Sequence, residues 1–193
     1  MKFESEKLIA KHLDPKRVAL FLAEVAHANR SFNLYSRNLT AEDLIVLIAE
    51  SLIPVEIGWL DRESGPVLDI GSGWGIPSVP LLLALPSLDV TLLERSQKKA
   101  NFLRLLLHRL SLRAGVVSLD LESYDSATKY NTFTLRQVAL EDAIRRLITI
   151  MAARGASILC FGSRSTDIDD RGEVVDYSID RLPSRRLVKL PVF

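Results

Sequence analysis

Residues 67–77 read Val-Leu-Asp-Ile-Gly-Ser-Gly-Trp-Gly-Ile-Pro. An apolar run that breaks into Gly71, Gly73 and Gly75 has the form of a buried strand ending in a turn. Such a turn lets backbone approach a ligand at the carboxyl edge of a sheet. The spacing is G-x-G-x-G, not the dinucleotide pattern G-x-G-x-x-G, and Ile76 stands where the third fingerprint glycine would fall. Asp69 lies two positions before the first glycine, inside the strand end. Glu94 ends the next apolar run, Val90-Thr91-Leu92-Leu93, roughly twenty residues on, where an acid can accept hydrogen bonds from ribose hydroxyls. No Lys-Ser/Thr pair follows the glycines, which excludes a phosphate-gripping P-loop. Asp69, Gly71, Ser72, Gly73, Gly75, Ile76 and Glu94 together suit S-adenosylmethionine, which brings no pyrophosphate to cradle. The bland alternative is a glycine-rich turn followed by a surface glutamate.

Composition bounds the rest. The 193 residues suffice for one domain, or one domain with an extension, and for a full core. A net charge of +1 gives no global signal for nucleic acid, so any such surface must be a local patch. Cys160 is the single cysteine, which rules out an internal disulfide; its apolar neighbours make it an inert core thiol. His12, His27 and His108 show no metal-ligand spacing, so no metal is expected. Neither a signal peptide nor an apolar run of membrane-spanning length appears, and the expected location is cytoplasmic.

The elements that must position the glycine turn follow from patterning. Residues 1–60 read as helices: Leu8, Ile9, His12 and Leu13 share one face, and Asp14-Pro15 starts a second helix. Residues 29–38 read as a loop. Thr40 to Asp43 forms a capping box for an apolar helix that Pro54 stops. After a turn over 61–66 come strands at 67–70, 90–93, 115–119, 131–135 and 156–161. Helices are expected over 79–85, 97–110 and 139–151, the last closed by Arg154-Gly155. Lys98, Lys99, Arg104, His108 and Arg109 line one side of the 97–110 helix, either as a solvated face or as an RNA contact. A polar loop over 163–171 precedes two antiparallel closing strands, 174–179 and 187–192, with Arg181, Arg185 and Arg186 clustered between them.

With these residues placed, the chain resembles the bacterial small-subunit ribosomal RNA guanine-N7 methyltransferases, the glucose-inhibited division protein B family. Asn29-Arg-Ser-Phe-Asn-Leu is similar to its Asn-Lys-x-Tyr/Phe-Asn-Leu, and residues 68–77 to its Leu-Asp-Val-Gly-Ser-Gly-x-Gly-Leu-Pro. Thr91 to Glu94 with Lys98, Phe102, Leu103 and His108 resembles its second strand and following helix. Leu135-Arg136 takes the place of its Ser-Arg-Ala.

The resemblance implies a Rossmann-like class I S-adenosylmethionine-dependent methyltransferase fold: a mostly parallel α/β sheet with helices on both faces. Residues 1–60 would be an N-terminal helical extension and 61–193 the methyltransferase domain, in one compact unit. It implies cofactor contacts at Gly71, Ile76, Leu121, Glu122 and Arg136. Glu94 is added from position, and Asp69 either orients the methionine end indirectly or satisfies backbone donors in the turn. Ribosomal RNA or the 30S subunit is the implied partner. Arg30, Phe32, Asn33 and Arg37 are the candidate substrate contacts, the alternative being a loop pinned to the core.

Four places depart from the family. Leu47-Ile48 replaces its Arg-His, Glu50-Ser51-Leu52 its Asp-Ser-Leu, Phe161-Gly162 its Lys-Gly, and Ser78 its glycine. A small-molecule or protein acceptor, or a non-catalytic paralogue, is the competing reading. Guanine N7 offers a lone pair and carries no proton, so methyl transfer to it needs no base. No catalytic residue is therefore assigned beyond Arg136 as a candidate for positioning.

Overall fold

The computed structural model describes residues 1–162, 172–180 and 184–193. The chain opens with β1 (Lys2–Phe3), α1 (Ser5–His12), α2 (Pro15–Ser31), α3 (Ala41–Ser51) and α4 (Ile53–Glu56). It continues with β2 (Val67–Ile70), α5 (Ser78–Ala84), β3 (Val90–Leu93), α6 (Gln97–Arg109), β4 (Gly115–Val117) and β5 (Tyr130–Arg136). α7 (Asp142–Met151), β6 (Ala152–Phe161), β7 (Glu173–Ile179) and β8 (Arg185–Pro191) complete it.

The strands form one sheet in the order β1-β7-β8-β6-β5-β2-β3-β4. β2 pairs in parallel with β3 and β5, and the run β4-β3-β2-β5-β6 is parallel throughout. β8 enters antiparallel between β6 and β7, as the two closing strands predict. The chain winds outward from β2 to β4, then returns to β5 on the other side. That reversal leaves a crevice at the carboxyl ends of β2 and β5, where α/β sheets hold ligands.

Alternation along each strand sorts side chains onto two cores. Val67, Leu92, Leu159 and Leu187 join α1, α2, α3, α5 and α6 on one face. Leu68, Leu93, Ile158 and Val188 pack with Ile148 and Met151 of α7 on the other. The N-terminal helices thus share a core with the sheet. Met1 and Ser5 also reach the last strands: the Met1 amino group donates to the Asp176 carbonyl at 2.6 Å, and the Ser5 amide to Asp180 Oδ1 at 3.1 Å.

Several boundaries move. Asp14 caps α2 as expected, its carboxylate accepting from the Lys16 amide at 2.7 Å, but the helix runs on to Ser31 and takes in Asn29 and Arg30. The Thr40–Asp43 capping box is complete. Pro54 sits in the first turn of α4 and does not end a helix, because its missing N–H is no loss at that position. β4 stops at Val117, and Arg136 is the last residue of β5, not a residue beyond it. Gly155 caps nothing: with φ +78° it lies inside β6, beside the register shift between Tyr130 and Thr132. Residues 163–171 and Arg181 lie outside the described residues.

Candidate functional site

A cleft of about 340 Å³ opens at the crevice. Ile70 and Gly71 bring it the end of β2; Leu93, Glu94 and Arg95 the end of β3; Leu119 to Glu122 the segment after β4. Gln137 and Val138 close it from the segment after β5, and Ile144 from α7. Of the predicted cofactor residues, Gly71, Glu94, Leu121 and Glu122 line this cleft. Ser72, Gly73, Gly75 and Ile76 belong to the turn behind it.

The turn is built by backbone bonding. The Gly71 and Ser72 amides both donate to the Leu93 carbonyl, at 2.9 and 3.1 Å, which holds the turn against the end of β3. Gly71, Gly73 and Gly75 have φ values of +76°, +57° and +99°, a region that side chains disfavour. A Cβ on Gly75 would meet Val79 Cγ2 at 2.6 Å, so the third glycine lets the turn sit on α5. Glu94, 6% exposed, accepts from the Gly73 amide at 2.9 Å through Oε2 and from the Ser96 amide at 2.8 Å through Oε1. Its carboxylate therefore clamps the turn while bordering the cleft.

Asp69 lies outside the cleft lining at 1% exposure, and among the described residues no backbone donor reaches its carboxylate. Oδ1 accepts from Thr134 Oγ1 at 2.7 Å, whereas Oδ2 and the nearby Ser78 Oγ are buried without a hydrogen-bond partner. Burial, with the Glu94 charge adding to it, pushes its carboxyl up to about 6 against the pull of the Thr134 hydroxyl. A pKa raised by folding means the folded state holds the proton longer. Stability from this group is full below about pH 4 and is lost as pH rises to about 6; two pKa units correspond to about 3 kcal/mol. Urea unfolding of the parent from pH 4.5 to 7 is expected to show this decline, and Asp69→Asn to remove it. Equal pH slopes in the two proteins would refute the assignment.

Arg136 stands apart from the cleft. As the last residue of β5 it shares the Thr134 face, and its Nη2 donates to Glu50 of α3. Glu50 is completely buried and also accepts from the Tyr177 hydroxyl and from Arg185 Nη1, the latter at 3.1 and 3.2 Å. Arg136 Nη1 is buried without a partner among the described residues. Burial alone would raise the Glu50 carboxyl, but Arg136, Tyr177 and Arg185 outweigh it and hold the group below its usual range. The cluster ties α3 to β5, β7 and β8. Sequence reading missed it; the one local signal is an acid inside the apolar run of α3. Arg186, expected beside Arg185, instead bonds Asp176 at 2.8 Å.

The 29–39 segment is pinned from within. Asn29 Oδ1 accepts from the Leu34 and Tyr35 amides at 2.8 and 3.2 Å. Phe32 is half-buried and packs edge-on against Phe102 with centroids 6.3 Å apart. Tyr35 lies 5.6 Å from Trp74, whose other neighbour is the stacked ring of Phe21 at 5.9 Å. Arg30, Asn33 and Arg37 remain exposed. On α6, Arg104 donates to the Val116 carbonyl at 2.9 Å and Arg109 pairs with Glu24 at 2.6 Å, so these two cations serve as anchors. Burial lifts the Cys160 thiol to about 11, which keeps it protonated. Among the described residues no helix is long and apolar enough to cross a membrane, and no group of three metal-ligating side chains converges.

The sheet order and the crevice define a Rossmann-like class I S-adenosylmethionine-dependent methyltransferase fold. The structure is similar to that of the O-methyltransferase from Bacillus cereus solved with SAH, at a TM-score of 0.59 and 16% identity, covering 90% of each chain. It is also similar to a putative O-methyltransferase from Klebsiella pneumoniae, at a TM-score of 0.56 and 14% identity, covering 97% of this chain and 95% of that one. In sequence, residues 15–170 match the GidB family, rRNA small subunit methyltransferase G, and the chain belongs to that family. The ribosomal RNA small subunit methyltransferase G of Xylella fastidiosa is 32% identical over 131 residues, 67% of this chain and 58% of that protein. That of Xanthomonas oryzae is 39% identical over 136 residues, 70% and 59%. The aligned region thus spans somewhat over half the length of these relatives.

Proposed function

We propose that this chain transfers the methyl group of S-adenosylmethionine to guanine N7 of small-subunit ribosomal RNA. The observation that carries the reading is the cleft at the switch point, bordered by Gly71 and Glu94, in a member of this family. Its volume of about 340 Å³ suits a small molecule. Glu94 and Glu122 offer acceptors for ribose hydroxyls, and Leu93, Leu121 and Val138 offer apolar surface for a base. Among the described residues Arg95 is the one cation in the lining, too little for a pyrophosphate.

S-adenosylmethionine, when bound, supplies an electrophilic methyl group. The chain's part is placement. Gly71 presents backbone with no side chain in the way, and the Glu94 clamp fixes the turn before any ligand arrives. Such preorganisation of the reacting groups is the main lever where no proton must be removed from the acceptor.

Labelled methyl transfer to undermethylated small subunits, total RNA and protein extract in parallel tests the reading. Label is expected in small-subunit RNA as 7-methylguanine, and S-adenosylhomocysteine, but not NAD, is expected to raise Tm. Label confined to protein or small molecules would assign a different acceptor.

A further inference from the structure

We propose a second site: the cleft between the end of α2 and the 32–39 segment, which takes backbone phosphates of the acceptor RNA beside the glycine turn. This rests on the RNA reading above.

The cleft measures about 430 Å³ and is lined by Ala26, Asn29, Arg30, Tyr35, Arg37 and Leu39. Among the described residues it carries two guanidiniums and no carboxylate, in a chain whose net charge is only +1. Arg30 Nη2 donates to His27 Nδ1 at 2.9 Å, which steadies it at the rim. Arg37 makes no hydrogen bond or ion pair among the described residues, so its donors are open to a ligand. Guanidinium forks match phosphate oxygens in geometry and charge. The carboxyl end of α2 contributes a partial negative charge, and Arg30 in its last turn offsets that.

The site is built in advance of its ligand. The Asn29 carboxamide holds the Leu34 and Tyr35 amides, and Leu34 is buried, so little ordering remains when phosphate arrives. Its position gives it purpose. Tyr35, on the cleft wall, packs on Trp74, and Trp74 lies between Gly73 and Gly75. A strand of RNA held here passes next to the turn that borders the cofactor cleft.

The test compares the parent with Arg30→Ala/Arg37→Ala and Arg30→Lys/Arg37→Lys, using unmethylated small-subunit ribosomal RNA transcribed in vitro. For the alanine pair, KM for RNA is expected to rise roughly tenfold or more, with kcat and S-adenosylhomocysteine affinity within about twofold of the parent. The slope of log affinity against log salt is expected to flatten by about 1.4, two contacts at about 0.7 each on single-stranded RNA. The lysine pair keeps most of the affinity, because the charges remain. Unchanged KM and salt slope in a parent that methylates RNA would overturn the site while leaving the function intact. Loss of S-adenosylhomocysteine affinity in the alanine pair would also overturn it, assigning the arginines to support of the turn. A parent that neither binds nor methylates RNA removes the proposed acceptor, and this site with it.

Discussion

Glu50→Ala is expected to lower the unfolding free energy by about 3–5 kcal/mol, the usual cost of removing one partner from a buried ion pair. Glu50 is fully buried, and its carboxylate is the common acceptor for Arg136, Arg185 and Tyr177. Alanine leaves Arg136 with no partner for either terminal nitrogen and Tyr177 with no acceptor. Against a whole-protein stability of about 5–15 kcal/mol, that is roughly a fifth at the least. Glu50→Gln keeps an acceptor and is expected to lose less. Because folding lowers this carboxyl's pKa, its contribution is present above about pH 4.5 and fades as pH falls below it, the reverse of Asp69. Urea titrations of the three proteins at pH 7 decide the matter; a Glu50→Ala protein within 1 kcal/mol of the parent would show that the cluster contributes little.

The second large effect concerns the cofactor. Glu94→Gln is expected to weaken S-adenosylhomocysteine binding roughly 10–100-fold, since hydrogen bonds to a charged group each carry about 1.5–3 kcal/mol. The two carboxylate oxygens accept from the Gly73 and Ser96 amides at 2.9 and 2.8 Å. A carboxamide can satisfy one of them, but turns its own N–H groups toward the other. The turn then loosens at Gly73 while the apolar core beneath it stays intact. Calorimetric titration alongside circular dichroism separates affinity from folding. An affinity within about twofold of the parent would mean that the clamp is dispensable.

Legibility in the sequence followed the range of the interaction. β2 and β3 match their predicted bounds because unbroken apolar runs between glycine and charged residues leave few alternatives. The Thr40 cap and the Asp14-Pro15 start of α2 are contacts over two or three residues, and both hold. Glu94 was placed at the site by spacing alone, yet its bond to Gly73 crosses 21 residues and could not be read in advance. The Glu50 partners stand 86, 127 and 135 residues away, beyond any periodicity, so nothing in the sequence shows that the Arg136 guanidinium, which the family resemblance places at the cofactor, bonds to α3. β1 is two residues long and exists only because β7 supplies an edge. The Phe32 ring is open to two readings in sequence, and its edge contact with the buried Phe102, 70 residues on, could not be read from local pattern.

The ties between Ser5 and Asp180 and between Glu50 and Arg185 also set a timetable for synthesis. A ribosome adds about 5–20 residues per second, so the 135 residues from Glu50 to Arg185 take roughly 7–27 s to emerge. Through that interval α1, α2 and α3 exist without the strands that answer their polar groups. The earliest helices wait for the latest strands: Arg136 of β5 is the first partner of the Glu50 carboxylate to emerge, and Tyr177 and Arg185 complete the set only when β7 and β8 arrive.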